Sequence, residues 1–507
     1  MLKRLALSLL VTGPLLSTLM AVSGVVYSDL NKNGKLDSGE PGIEGVLVTN
    51  GNQVLASDES GHYELTEEGG DFVFVVIPNG WETRLTDDRR PLYYHDSSLE
   101  TANFPLWKTE KKSVAKALVL ADTQTYTETD VGYLRDSTVE AILASGEKFD
   151  FGVTLGDVVN DDLSLLPKVN RALSRIDSTF YYVNGNHDLD FDAVVDGEAV
   201  ASFEALYGPA NFAFESGPAL FIGLDDVRFP VDVNGRKTYI GGLREDQFVW
   251  LENLLAFVPK EKPLVLMAHI PMFQPDIDGV DTFRVADRER LFDLLKGRTN
   301  SMFLSGHTHY QRHYFHEEEQ GWVGESPLHE YNVAAACGSF WGGPLDENGI
   351  PVSTMWDGTP PGFAILKVTA DGFRSEYRPT SFPADYQIGL TVPKRIKEGQ
   401  GWVSFYANVF DGHEGWTVTA RIDEREQSRG MGHTLAWDPG YVAAYLAQDD
   451  EGQPLPEKRL PDPKICFHLW KGYFPSDMNT GEHQVTVTAT HPDGRSFEAK
   501  ASFSVEP

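Results

Sequence analysis

Five apolar runs of strand length in the middle of the chain each stop on a polar cluster, and this pattern restricts the fold more than any other feature. KALVLAD runs into Asp122 and Gln124, DFGVTLGD into Asp157, and TFYYVNG into Asn186, His187 and Asp188. LVLMAH ends at His269, and SMFLSGH continues into His307 and His309. Helix-like stretches such as LREDQFVWLENLLAFV separate these runs, with Phe248 and Trp250 at positions expected to fill a core. Strands alternating with amphipathic helices predict a layered α/β domain, over residues 113–378. The carboxyl ends of strands are where ligands gather in open sheets of this kind, so the polar clusters are expected to meet at one edge.

The flanks have a different texture. Residues 24–112 alternate short β-rich runs (GVVYS, GVLVT, GHYEL, DFVFVVIP) with Gly, Asn and Asp turns, and predict an N-terminal β-sandwich. Residues 379–507 return to β patterning in GWVSFYANVF, GWTVTARID and HQVTVTATH, and predict a C-terminal β-rich domain. A chain of 507 residues exceeds what one core usually organises. At the start, Lys3 and Arg4 precede the apolar run LALSLLVTGPLLSTLMAV, with Ala21 and Ser23 before Gly24, and residues 1–23 read as a signal peptide. No Cys follows it, which argues against a lipid anchor; the expected location is secreted or periplasmic, with no membrane anchor after cleavage.

Charge excludes further classes. The formal net charge is −32, and loss of Lys3 and Arg4 with the leader takes it to about −34, so no nucleic-acid-binding surface is expected. A polyanionic substrate needs a local positive centre, which bound metal ions can supply. Cys337 and Cys466 alone cannot form a disulfide framework, and their apolar surroundings predict two buried free thiols.

The strand-end clusters carry seven oxygen and nitrogen donors: Asp122, Gln124, Asp157, Asn186, His269, His307 and His309. Carboxylates bring negative charge, the amides are neutral ligands, and imidazoles favour Zn, Mn or Fe over Ca or Mg. A carboxylate can bridge two ions, and Asp157 is the expected bridge. Asp122, Gln124 and His309 would lie on one side of it, with Asn186, His269 and His307 on the other. Two divalent ions about 3.5–4 Å apart can activate a hydroxide and clamp the oxygens of an in-line displacement at phosphorus. His187 is then free for a non-ligand, catalytic task.

With these residues stated, the chain resembles the calcineurin-like metallophosphoesterase superfamily, whose motif order it follows across the central domain. FEALYGPANFAFESG, HEYNVAAACGSFWGG, DGTPPGF, KICFHLW and GEHQVTVTATHPDGR are similar to a secreted bacterial branch with β domains at both ends. The resemblance implies a four-layer αββα sandwich, a two-metal centre, phosphate-ester substrates, and a His187 that stabilises the transition state or protonates the leaving oxygen. Two departures stand out. Asp122-Thr-Gln124 replaces the Asp-x-His of many members, which makes that metal site harder and weaker. Purple acid phosphatases place a Tyr where Asn160 stands here, so a colourless centre is expected.

The stretch DLNKNGKLDSGE sets Asp29, Asn31, Asn33, Lys35 (through its carbonyl), Asp37 and Glu40 in the ligand order of a calcium loop, with Gly34 at the sharp turn. A sensor needs a helix on each side. Here SGVVYS reads as a strand and Pro41-Gly42 stops an exiting helix, so the ion is expected to be structural, in a sandwich that resembles transthyretin-like surface repeats. Without an ion the same residues favour a plain turn. His313 and His316 are expected to be solvated, and His329 has no assigned role. A rival of another class is a secreted binding or adhesion protein, whose β domains recognise a surface ligand and whose central domain is a scaffold.

Overall fold

The computed structural model describes residues 21–233, 236–274, 281–423, 425–426, 430–450 and 455–507. Most of the expected leader lies outside the described residues. The first strand, Val22–Ser28, starts two residues ahead of the expected domain start at Gly24. Val22 and Ser23 pair with Leu65 and Glu64, and buried Val22 needs that ladder to cover its side chain.

Two sheets form the centre. One has the order Thr179–Val183, Phe151–Leu155, Ala115–Leu120, Gly362–Thr369, Gly372–Pro379, with its first three strands parallel. The other runs Phe212–Ser216, Ala219–Gly223, Leu264–Met267, Ser301–Ser305, Leu328–Asn332, Arg312–His316, parallel in its middle and antiparallel at both edges. Because side chains alternate along a strand, Ala117, Val119, Val153, Leu155 and Val183 face the second sheet. Leu118, Leu120, Phe180 and Tyr182 point the other way, into a cluster with Leu134 and Val169 of the helices Glu128–Leu134 and Leu166–Leu173. Phe248, Leu251 and Leu254 of Glu245–Ala256, with Leu291, Phe292 and Leu295 of Val285–Leu295, cover the far face of the second sheet. The order of layers is therefore αββα. Truncating a core leucine such as Leu155 to Ala costs about 2–5 kcal/mol.

The flanking units join this centre in different ways. At the N-terminal end two four-stranded sheets pack Val26, Val48, Phe74 and Phe104 between them. That core is continuous with the central one: Phe74 meets Trp250 at 6.1 Å between ring centroids, and Tyr93 meets Tyr181 at 6.2 Å. The C-terminal unit has two sheets and a separate core around Phe405, Trp416, Trp470 and Phe503. Its junction with the centre is polar and buried. Asp357 accepts from the Gln311 backbone N–H at 3.0 Å, its second contact is His468 Nε2 at 2.9 Å, and Asn408 Nδ2 donates to its carbonyl at 2.9 Å.

His313 and His316 are not solvated. They sit inside the strand Arg312–His316, paired antiparallel with Leu328–Asn332, and strand alternation turns them to opposite faces that are both covered. His316 Nε2 meets Glu330 Oε2 at 2.5 Å, while His313 lies between His329 Nε2 and Asp411 Oδ1, each at 2.9 Å. His329 thus pairs with His313 and is not among the residues lining the metal-centre cavity. Cys337 and Cys466 are both buried free thiols. No helix among the described residues is long and apolar enough to cross a membrane.

Candidate metal centre

The seven donors leave the strands on tight turns. Asp122, Gln124, Asp157, His307 and His309 all have positive φ, between 34° and 74°, in the left-handed region that non-glycine residues seldom occupy. Such backbone costs of order 1–3 kcal/mol per residue and persists where the surroundings impose it, commonly at functional sites. Two glycines permit the crowding. A Cβ on Gly156 would lie 2.4 Å from His269 Nδ1, and one on Gly185 would lie 2.2 Å from the Asp157 backbone nitrogen.

On one side of Asp157, acceptor atoms converge. His269 Nδ1 donates to the Leu155 carbonyl at 2.8 Å, which turns Nε2 inward. Around that Nε2 stand Asn186 Oδ1 at 3.1 Å, His307 Nδ1 at 3.2 Å and Asp157 Oδ1 at 3.3 Å. Mutually facing lone pairs repel unless a cation or a proton lies among them. Asp157, His269 and His307 each offer one ligand atom, all within 4.8 Å of one another.

The other side is looser. His309 Nδ1 donates to the Gly338 carbonyl at 2.6 Å and leaves Nε2 3.7 Å from Asp122 Oδ1. Both Asp122 oxygens accept from the His307 backbone N–H, at 2.9 and 3.0 Å. Gln124 Nε2 lies 3.4 Å from Asp157 Oδ2 and 3.2 Å from Asn160 Oδ1. Half a turn of that amide exchanges nitrogen for oxygen and presents a ligand atom. The two oxygens of Asp157 thus face the two halves of the cluster.

Electrostatics calls for positive charge at the same place. Burial drives the Asp122 carboxyl up to about 8, with His269 opposing and Asp157 reinforcing the shift. Burial also disfavours a charged His269, yet the carboxylates of Asp157 and Asp122 outweigh it and lift the imidazole to about 10. Burial pushes His307 down to about 3 and His309 to about 4, which keeps both neutral, the form that binds metals. The donor set therefore fits divalent cations in type and charge, and their binding would displace the protons that Asp122 and His269 hold without them.

Supporting residues that sequence reasoning missed surround the donors. Asp161, itself at φ 66°, meets His187 Nδ1 at 2.6 Å and fixes the ring. It stands four residues after Asp157 in the same polar run, the only sequence signal it offers. Buried Asp188 accepts from the backbone N–H groups of Val158, Val159 and Gly185 at 2.9–3.0 Å and ties two ligand loops together. Asp226 does the same for His269 and Ile270. Asn332 bonds Thr308 Oγ1 and the Gly306 carbonyl, and so holds the loop of His307 and His309. The donors open on a cavity of about 220 Å³, lined also by His187, Tyr239, Gln274, Phe340, Trp356 and Lys464.

At the N-terminal loop, Asp37 Oδ2 accepts from Asn31 Nδ2 at 2.8 Å and Asn33 Nδ2 at 2.7 Å. Asp29 Oδ2 accepts from Gly34 N–H at 2.7 Å, and Glu40 Oε1 from Leu30 N–H at 2.9 Å. The expected calcium donors thus curl around one another after the strand Val22–Ser28, and the chain returns to that strand in a bridge between Tyr27 and Gly42.

This geometry agrees with what the chain is similar to. Three models of one family match successive parts of it: the N terminal of calcineurin-like phosphoesterase over residues 30–109, calcineurin-like phosphoesterase over 115–311, and the C terminal of calcineurin-like phosphoesterase over 330–497. The chain belongs to the calcineurin-like phosphoesterase family. Among curated relatives it is 30% identical over 165 residues to a "Probable glycerophosphodiester phosphodiesterase" of Arcobacter nitrofigilis, a match that covers 32% of this chain and 57% of that protein. It is 25% identical over 220 residues to a "Probable cyclic nucleotide phosphodiesterase" of Rhodococcus erythropolis, covering 42% of this chain and 69% of the relative. Two solved structures are distant likenesses at 14% identity. A purple acid phosphatase from yellow lupin seeds has a TM-score of 0.39, covering 71% of this chain and 67% of that one. A metallophosphoesterase from Sphaerobacter thermophilus has a TM-score of 0.24, covering 52% and 89%.

Proposed function

We propose that the protein is a secreted hydrolase of phosphate esters that works through a dinuclear metal centre. The observation that carries this reading is the convergence of Asp157 Oδ1, His307 Nδ1 and Asn186 Oδ1 around His269 Nε2, each within 3.3 Å of it. One ion is assigned to Asp157, Asn186, His269 and His307, and a second to Asp122, Gln124, Asp157 and His309. Two divalent ions of the Mn, Zn or Fe type held there would supply positive charge for a phosphoryl group and would lower the pKa of a bound water. His187, steadied through Nδ1 by Asp161, holds a proton at Nε2 and delivers it to the leaving oxygen or bonds the charge that develops there. Asp188 and Asp226 keep the ligand loops in register. The names of the two relatives favour a diester as substrate.

At Asp29, Asn31, Asn33, Lys35, Asp37 and Glu40 we assign a structural calcium, which would replace the loop's internal hydrogen bonds with metal–oxygen contacts. The reading of the protein as a binding scaffold has no comparable support, because a scaffold has no use for strained, buried donors facing a cavity.

The test is elemental analysis of purified protein beside release of nitrophenol from p-nitrophenyl phosphate and bis(p-nitrophenyl) phosphate, with Mn, Zn, Fe and Mg added separately. Metal-dependent turnover that chelation removes is the expected result. Stoichiometric metal with no turnover of either ester would favour the scaffold.

A further inference from the structure

One wall of the cavity, beside His309, is built partly by the C-terminal unit. Lys464 stands immediately before the strand Ile465–Tyr473, and its backbone N–H donates to the Trp356 carbonyl at 3.1 Å. Its ammonium sits over the Trp356 ring, 3.6 Å from the centroid. Trp356 in turn donates from Nε1 to the Thr308 carbonyl at 2.8 Å, between His307 and His309. A cation–π contact on an anchored indole fixes where the ammonium points. Among the described residues that line the cavity, Lys464 is the one with a permanent positive charge, in a chain of net charge −32.

The aromatic rings here are already engaged. Phe340 stacks on His309 with centroids 4.1 Å apart, and Lys464 occupies a face of Trp356. They position an imidazole and an ammonium, which leaves them poorly placed to sandwich a nucleobase. The cavity of about 220 Å³ also falls below the ~300–1,000 Å³ of sites for larger organic ligands.

We propose that Lys464 is a specificity-determining residue that binds a second anionic group on a compact phosphate ester, so that the C-terminal unit completes the substrate site. This rests on the phosphoesterase reading and adds the substrate class to it. The donors of the metal centre suffice for the scissile phosphoryl group; a further cation lining the same cavity adds affinity only where the substrate carries another carboxylate or phosphate.

Two substrate pairs differ only in that group: methyl p-nitrophenyl phosphate against its carboxymethyl counterpart, and glycerol 2-phosphate against 2-phosphoglycerate. For whichever pair the metal-loaded wild type cleaves, the carboxylate member is expected to be preferred. Lys464→Ala is expected to raise KM for that member about 10-fold, the loss of one charge-assisted hydrogen bond, with kcat within about twofold and the member without the carboxylate unaffected. Lys464→Arg is expected to restore most of the loss, which a merely structural role would not produce. An equal change on both members of a pair, no change on either, or no wild-type preference would overturn the proposal while leaving the phosphoesterase reading in place. Failure of the metal-loaded wild type to cleave any of the four would overturn both.

Discussion

His309 and His313 are four residues apart, yet they belong to two histidine groups with opposite surroundings. In the first, His269, His307 and His309 hang from turns at strand ends, with lone pairs directed at carboxylates and at a cavity. In the second, His313, His316 and His329 lie within paired strands, and their inward nitrogens are capped by Glu330, Asp411 or one another. Residue type is the same in both. What differs is backbone: a turn at a strand end, left-handed at His307 and His309, frees an imidazole from the ladder and aims it, whereas a strand buries it against a neighbour. A histidine becomes a candidate ligand when its second nitrogen is left without a protein partner and a carboxylate stands within reach.

The sharpest way to break this contrast is Asp157→Asn. It removes the group that faces both halves of the first cluster, and turnover should fall more than about 1,000-fold together with loss of bound metal by elemental analysis. Retained metal at full stoichiometry would mean that Asp157 bridges nothing. His187→Ala comes next, with metals kept and kcat lower by about 10²–10⁴; a fully active variant would remove His187 from the chemistry. Asp161→Asn acts through that imidazole and should lower kcat about 10-fold with KM steady, alongside a displaced limb in the pH–rate profile.

The second cluster should answer in stability and not in rate. His413 of the C-terminal unit lies against this cluster, its ring centroid 5.7 Å from that of His313 and 6.0 Å from that of His491; burial, then the charges of those two, holds its imidazole down to about 3, while Asp411 pulls the other way. The unfolded chain binds this proton near pH 6.5 and the native protein does not, so stability is lost as pH falls below about 6.5. His413→Gln should flatten that decline in melting temperature between pH 7 and pH 5, leaving kcat/KM unchanged; an unaltered slope would show that the ring is not the group responsible. The smallest effect is expected at the N-terminal loop. Asp29→Ala, or chelation of calcium, should lower the melting temperature by a few degrees with turnover intact, and a loss of rate in a folded variant would connect the loop to the centre after all.

How much of this was legible in the chain varies from element to element. The run KALVLAD already implied a buried strand and a ligand at its end, because apolar periodicity and a terminal Asp are local signals. The same logic located His269, His307 and His309. It failed for His313 and His316, since the polar letters HYQRHYFHEEEQ look solvated until Phe292 covers one face of the strand and Asp411 the other. It was silent on Asp161, Asp226 and Lys464, whose partners lie 26, 43 and 108 residues away in sequence, at His187, His269 and Trp356.

The sequence by itself determined the layered α/β centre, its β-rich flanks, the polar residues that stand at the strand ends and the sign of the protein's charge, because each is written in local periodicity or in simple composition. Only the tertiary structure decided which nitrogen of each histidine faces inward, that the N-terminal core merges with the central one, and that a lysine from the C-terminal unit reaches the cavity. Those outcomes depend on contacts between segments far apart in the chain, where hydrogen bonds and packing are settled by the folded backbone and not by neighbouring residues.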